Sequence, residues 1–135
     1  MPAVTKVAIG IVESAGHVLV GTRSSDSVLP GMDEFPGGKC ESDETPRACL
    51  VRECREETGL MVVPRDHLVT VDHQYDHGNV ELHFWRCRLT PDLADLARPT
   101  APFRWVPLRE LPKLNFPEAN RSVLAALLPS ESVQT

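Results

Sequence analysis

The chain has 135 residues, of which 41% are hydrophobic and 24% charged, with a formal net charge of −5. That length carries one compact domain with its own core and is short for two, while a mildly acidic chain without a Lys/Arg cluster is a poor electrostatic match for duplex nucleic acid. No apolar run approaches the roughly 18 residues that cross a bilayer, and the start MPAVTKVAIG lacks the basic-then-apolar layout of a signal peptide. The expectation is a single cytoplasmic domain over 1–135, a monomer or homodimer with no membrane partner, able to take a small anionic ligand if a metal supplies positive charge.

In chain order, KVAIGIVESAGHVLVGTR is two β-type runs around ESAG and predicts a hairpin over about 4–12 and 17–23. SSDSVLPGMDEFPGG is dense in Gly, Pro, Ser and Asp, which excludes helix and regular sheet over most of its length and predicts a long loop. Thr45 is placed to cap a helix whose first residue is Pro46, and Gly59 suits the left-handed residue that stops it, so a helix is predicted over 46–58. LMVVPRDHLVTVDHQY and NVELHFWRCRL then form a second hairpin around DHGN. TPDLADLARPTAP reads as a proline-bounded connection and FRWVPL as a last short strand. In FPEANRSVLAALLPS, Val123, Leu124, Leu127 and Leu128 share a face at helical spacing and are expected against the sheet. The whole is a mixed α/β domain with helices packed on a sheet.

Cys40, Cys49, Cys54 and Cys87 form no CxxC pair and read as free thiols. His73 and His77 fall in a strand-type segment, where they would lie too far apart to share a metal.

The predicted 46–58 helix carries Glu53, Glu56 and Glu57 within about one third of its circumference. Val51, Cys54 and Thr58, with Ala48 behind them, are expected to form the side that meets the sheet. Like charges three and four apart cost a few tenths of a kcal/mol per pair, and Arg52 alone cannot offset three carboxylates. A solvated acidic face is the ordinary reading of such a run. A hard divalent cation, Mg²⁺ or Mn²⁺, is the alternative, since it prefers oxygen ligands and is usually held by a few carboxylates together with substrate phosphates. The glycines of EFPGGKCESDE, just before the helix, allow close backbone approach to a metal or phosphate.

Gly38, Glu44, Arg52, Glu53, Cys54, Glu56, Glu57, Gly59 and Leu60 together resemble the signature of the Nudix hydrolases, G-x5-E-x7-R-E-U-x-E-E-x-G-U, with U a bulky aliphatic residue. Cys54 replaces an aliphatic residue, a mild change because free Cys packs as a small hydrophobe. VAIGIV, GTR, EFPGGK and FPEAN extend the likeness along nearly the whole chain to the MutT-type branch. The resemblance implies an α/β/α sandwich with a mixed sheet and pyrophosphate removal from nucleoside triphosphates, 8-oxo-dGTP in particular. It further implies that Glu53, Glu56, Glu57 and the Gly37 carbonyl hold the metal, that Glu53 activates the attacking water, that Arg52 orients the glutamates and that Glu44 supports them from outside. Arg23 would touch the phosphates, Glu34, Phe35, Pro36, Gly37 and Gly38 would line the nucleotide pocket, Asn120 would read the base edge and Tyr75 would stack on the base. Asn120 also reads as a helix N-cap, Tyr75 as a plain strand aromatic and Arg23 as a solvated cation at a strand end. Many relatives carry a metal-binding or proton-accepting acid in the loop before the last strand, where this chain offers only Asp92 and Asp95. Other nucleotides, among them CTP or dCTP, dinucleoside polyphosphates and ADP-ribose, are the alternative substrates, and a catalytically silent nucleotide sensor is the alternative from another class.

Overall fold

The computed structural model describes residues 4–27, 29–75 and 78–127. Among them, seven strands form one mixed sheet: β1 (Val4–Ser14), β2 (His17–Thr22), β3 (Asp33–Glu34), β4 (Gly37–Lys39), β5 (Val62–Tyr75), β6 (Gly78–Leu89) and β7 (Arg104–Pro107). Helix α1 (Pro46–Thr58) follows β4, a 3-10 turn covers Leu108–Lys113, and α2 (Glu118–Leu127) closes the described chain.

β1 is the spine. It runs parallel to β6 from Val4↔Asn79 to Glu13↔Arg88, and along its other edge it is antiparallel to β4 at Val7–Ile9 and to β2 at Glu13–Ser14. β5 pairs antiparallel with β6 as the second predicted hairpin, and Asp76 and His77 of the DHGN stretch lie outside the described residues. β2 carries β3 on one edge and β7 on the other.

Alternation along these strands splits the core into two layers, because successive side chains of a strand point to opposite faces. Ile11, Val18, Val20, Leu82 and Phe84 join Val123, Leu124 and Leu127 of α2 on one face. Ala8, Val12, Leu19 and Cys87 join Cys49, Leu50 and Cys54 of α1 on the other. The result is the α/β/α sandwich with a mixed sheet.

Three local expectations change. The 24–38 segment is not wholly loop, since Asp33–Glu34 and Gly37–Lys39 pair as short strands. Their contribution is backbone hydrogen bonding to β2 and β1, which side-chain composition does not reveal. A 3-10 turn follows β7 directly, and Leu111 within it is fully buried. In α1 the buried residues are Cys49, Leu50, Cys54 and Thr58, whereas Ala48 is exposed and Val51 only half-buried. Leu128 lies outside the described residues. All four cysteines are free thiols, three of them buried.

Candidate active site

Helix α1 begins and ends where its local chemistry dictates. The Thr45 hydroxyl accepts from the Ala48 N–H at 3.1 Å, Pro46 occupies the first turn, and Gly59 takes φ 76° while its N–H donates to the Arg55 carbonyl at 2.9 Å. Thr58 is buried, and its hydroxyl donates back to the Cys54 carbonyl at 2.7 Å. At 100° per residue, Glu57 and Glu53 come within about 20° and 60° of Leu50, the centre of the buried stripe. The acidic face therefore shoulders the sheet rather than facing away from it.

Two glycines make this possible. A Cβ on Gly38 would collide with the Glu53 carboxylate, and one on Gly37 would run into the Ala8 carbonyl oxygen and the Ile9 Cα of β1. With no side chains there, β4 closes on β1 and leaves room for α1's carboxylates above it. The Gly37 N–H donates to Glu57 Oε1 at 2.9 Å, and the Cys49 thiol donates to the Gly38 carbonyl at 3.5 Å.

Arg52 gathers the rest. Its Nε and Nη2 donate to the two Glu44 oxygens at 2.6 and 2.8 Å, and its Nη1 donates to Glu53 Oε2 at 2.9 Å and Glu56 Oε1 at 3.2 Å. Nη2 also reaches the Lys39 carbonyl at 3.3 Å, which ties the guanidinium to β4. Glu44 in turn accepts from the Glu41 N–H at 2.9 Å. Hydrogen bonds from Arg52, then that backbone bond, hold the Glu44 carboxyl down at about 2. Hydrogen bonds to Glu44 first, and then to Glu53, push the Arg52 guanidinium up, so it stays charged throughout.

Glu57 has no guanidinium. Burial first, and then the charges of Glu34, Glu53 and Glu56, raise its carboxyl to about 7 against the lowering effect of the Gly37 N–H. Glu34, opposite it, is also raised, by burial partly offset by Arg23. Arg23 Nη1 donates to Glu34 Oε1 at 3.3 Å. A cleft of about 310 Å³ opens between them, lined by Arg23, Glu34, Glu57, Ser27, Pro102 and Phe103 among others. The loop before β7 thus presents Pro102 and Phe103 to the cleft, while Asp92 and Asp95 sit in exposed turns.

The other predicted site residues are distributed unevenly. Phe35 is buried and stacks on Phe116 with ring centroids 4.5 Å apart, and Pro36 is fully buried, so both side chains pack in the core rather than line the cleft. Asn120 is the third residue of α2 rather than its N-cap, half-buried, with its N–H donating to the Pro117 carbonyl at 2.9 Å. Tyr75 ends β5 opposite Gly78, and its side chain lies outside the described residues. The FPEAN segment pointed to this region through Asn120 rather than through Phe116, and nothing in the sequence pointed to Phe103, because only the fold brings that position to β2 and β3.

A cation is implied by the charge balance here, and the donor set suits a hard one. Glu53 and Glu57 offer carboxylate oxygens beside the Gly37–Gly38 backbone, and Glu57's carboxyl is raised first by burial and further by its acidic neighbours, both of which a bound cation would oppose. Among the described residues, no three His, Cys, Asp or Glu side chains are gathered as a ready-made metal cluster. Glu53 and Glu56 are turned to Arg52, and Glu56 is 58% exposed, so convergence on one ion requires these side chains to rotate.

The family model for the NUDIX domain matches residues 7–126, nearly the whole described chain. The chain belongs to the Nudix family. Within it, this Nudix chain is 28% identical over 123 residues to an 8-oxo-dGTP diphosphatase of Escherichia coli, covering 90% of this chain and 95% of that one. It is 35% identical over 80 residues to the CTP pyrophosphohydrolase of the same organism, covering 59% of each. Its fold is similar to the solution structure of the MutT protein of methicillin-resistant Staphylococcus aureus 252, with a TM-score of 0.74, 35% identity, and coverage of 94% and 97%.

Proposed function

We propose that this Nudix chain is a divalent-metal-dependent nucleoside triphosphate pyrophosphohydrolase that converts 8-oxo-dGTP to 8-oxo-dGMP and pyrophosphate, acting in the cytoplasm as a single-domain monomer or homodimer. The reading rests most on one observation: Glu53 and Glu57 are seated over Gly37 and Gly38 beside a cleft that also holds Arg23 and Glu34. Full-length likeness to the E. coli 8-oxo-dGTP diphosphatase supports the choice of substrate.

Glu53, Glu56, Glu57 and the Gly37 carbonyl would hold the ion, with Mg²⁺ or Mn²⁺ the chemical match for oxygen donors. When bound, such an ion neutralises triphosphate charge and lowers the pKa of a coordinated water. Glu53 takes the proton from the attacking water. Arg52 holds Glu53 and Glu56 beside each other through its hydrogen bonds until they rotate onto the ion, and Glu44 anchors Arg52 in turn. Arg23 stabilises the departing phosphate, so the chain acts mainly by positioning and charge, as phosphoryl transfer requires. Phe35 and Pro36 support the base pocket from the core, Asn120 reads the base edge through an amide that both donates and accepts, and Tyr75 stacks on the base.

Turnover of 8-oxo-dGTP, dGTP, dCTP, CTP and diadenosine tetraphosphate with Mg²⁺ tests this directly. The expected result is highest kcat/KM for 8-oxo-dGTP with pyrophosphate as product. A preference for CTP or dCTP would instead select the second reading, which the 35% identity to the E. coli CTP pyrophosphohydrolase favours. Nucleotide binding without phosphate release would overturn both.

A further inference from the structure

Away from α1's acidic shoulder, strands β5 and β6 bring together a second polar constellation that the proposed reaction does not use. His67 Nε2 lies 2.9 Å from the Thr70 hydroxyl, and His83 Nδ1 lies 3.3 Å from that same oxygen. The far nitrogen of His83, Nε2, is 3.0 Å from Glu81 Oε1. The His67 ring is set edge-on to Trp85 with centroids 5.3 Å apart.

This convergence depends on an irregularity in the ladder. Residues three apart on a regular strand point to opposite faces, so His67 and Thr70 should be separated by the sheet. Between His67↔Trp85 and Val69↔Phe84 the register shifts by one residue, and the extra residue returns His67 to the face that carries Thr70 and His83. Bulges of this kind re-aim side chains and are over-represented beside functional sites.

Hydrogen-bond bookkeeping then fixes the chemistry of His83. A carboxylate only accepts, so the neutral imidazole donates Nε2–H to Glu81 and its Nδ1 keeps the lone pair. That lone pair accepts from the Thr70 hydroxyl, whose oxygen then accepts from His67 Nε2–H, so His67 carries its proton on Nδ1 instead when Nε2 takes an ion. A carboxylate behind the non-ligating nitrogen of a histidine is the arrangement that orients and strengthens imidazole metal ligands. Two imidazoles suit borderline transition ions such as Ni²⁺, Cu²⁺ and Zn²⁺, in contrast to the oxygen donors near α1.

We propose that β5 and β6 carry a second cation site, a two-imidazole chelate formed by His67 and His83, oriented by Glu81 and selective for a divalent transition-metal ion. Binding draws both nitrogens from their contacts with the Thr70 hydroxyl toward an ion at about 2.0–2.1 Å, and solvent completes the coordination. The ion cross-braces β5 to β6 at the bulge.

The test is calorimetric titration of the full chain with Ni²⁺ in excess Mg²⁺, which keeps the carboxylates of α1 occupied, with the histidine ring NMR signals followed in parallel. One equivalent of Ni²⁺ is expected to bind and to perturb the His67 and His83 rings. His67→Ala and His83→Ala should each abolish that event, Glu81→Gln should weaken it by about 10–100-fold, and Thr70→Val should retain it, since the hydroxyl is not a ligand. Mn²⁺ should bind here far more weakly than Ni²⁺. Conservative His67→Gln and His83→Gln variants, with thermal midpoints and Mg²⁺-dependent turnover as checks on the fold, replace either alanine variant that fails to fold. Nickel binding that persists in both histidine variants, or that leaves the two rings unperturbed, overturns the proposal.

Discussion

Glu44 and Glu57 stand at opposite ends of one carboxylate cluster and behave in opposite ways. Glu44 accepts two bonds from Arg52 and one from its own turn, and its carboxyl sits near 2. Glu57 has one backbone N–H as partner and three acidic neighbours, and its carboxyl, raised chiefly by burial, sits near 7. The Glu44 end is paired by the chain itself; the Glu57 end is a buried carboxyl among acidic neighbours beside the cleft. On the proposed reading, the contrast teaches which end a cation would serve.

Removing a carboxylate at the Glu57 end should have the largest effect. Glu57→Gln and Glu53→Gln are each expected to lower kcat by about 10²–10³-fold, the scale of losing one electrostatic contributor to a transition state. In the metal-free protein, Glu57→Gln should at the same time raise the thermal midpoint, because it relieves repulsion. Turnover within threefold of the parent would break the comparison. Arg52→Ala should come next, with a loss of about 10–100-fold in metal affinity or activity, as expected for a group that orients ligands without being one. Arg52→Lys should not restore it, since an ammonium cannot grip Glu44 through both its oxygens while also holding Glu53 and Glu56.

Thr45→Ala touches neither end. Losing the cap should cost about 1 kcal/mol of stability in urea unfolding and leave Mg²⁺ affinity within a few-fold of the parent. The smallest effect is the pH dependence of metal-free stability. Glu44's carboxyl is lower folded than unfolded, so its contribution is present above about 4.5 and fades as pH falls toward 2. Glu57's is higher folded than unfolded, so its contribution is present below about 4.5 and is lost as pH rises through about 7. Thermal midpoints from pH 5 to 8 should therefore decline in the parent without Mg²⁺ more than in Glu57→Gln, and Mg²⁺ should flatten the difference.

The bounds of α1 were legible in the sequence because cap, proline and left-handed glycine all act within one turn of the helix ends. Its inward face was legible only in part. Cys54 and Thr58 are buried as expected, but Cys49 and Leu50 take the place of Ala48 and Val51, and this rotation carries Glu53 and Glu57 onto the glycines of β4. No local signal sets that angle, because it depends on how closely β4 can approach β1. Strands β3 and β4 were hidden for the same reason: a Pro- and Gly-rich stretch pairs here through its backbone. The nine-position signature pointed to Arg52, Glu44 and the three glutamates, and the structure joins four of these five through the Arg52 guanidinium. The partners of Glu57 in the cleft, Arg23, Glu34 and Phe103, come from three other segments and only tertiary folding assembles them.

A carboxyl wedged onto the Gly37 amide among like charges has a bearing on the chain's endurance as well as its chemistry. Whatever ion relieves that congestion favours the native form by mass action, and each tenfold rise in its free level above the dissociation constant adds about 1.4 kcal/mol. On the proposed reading, heat tolerance becomes a gauge of magnesium supply, and starvation for the ion would loosen the very helix that recruits it.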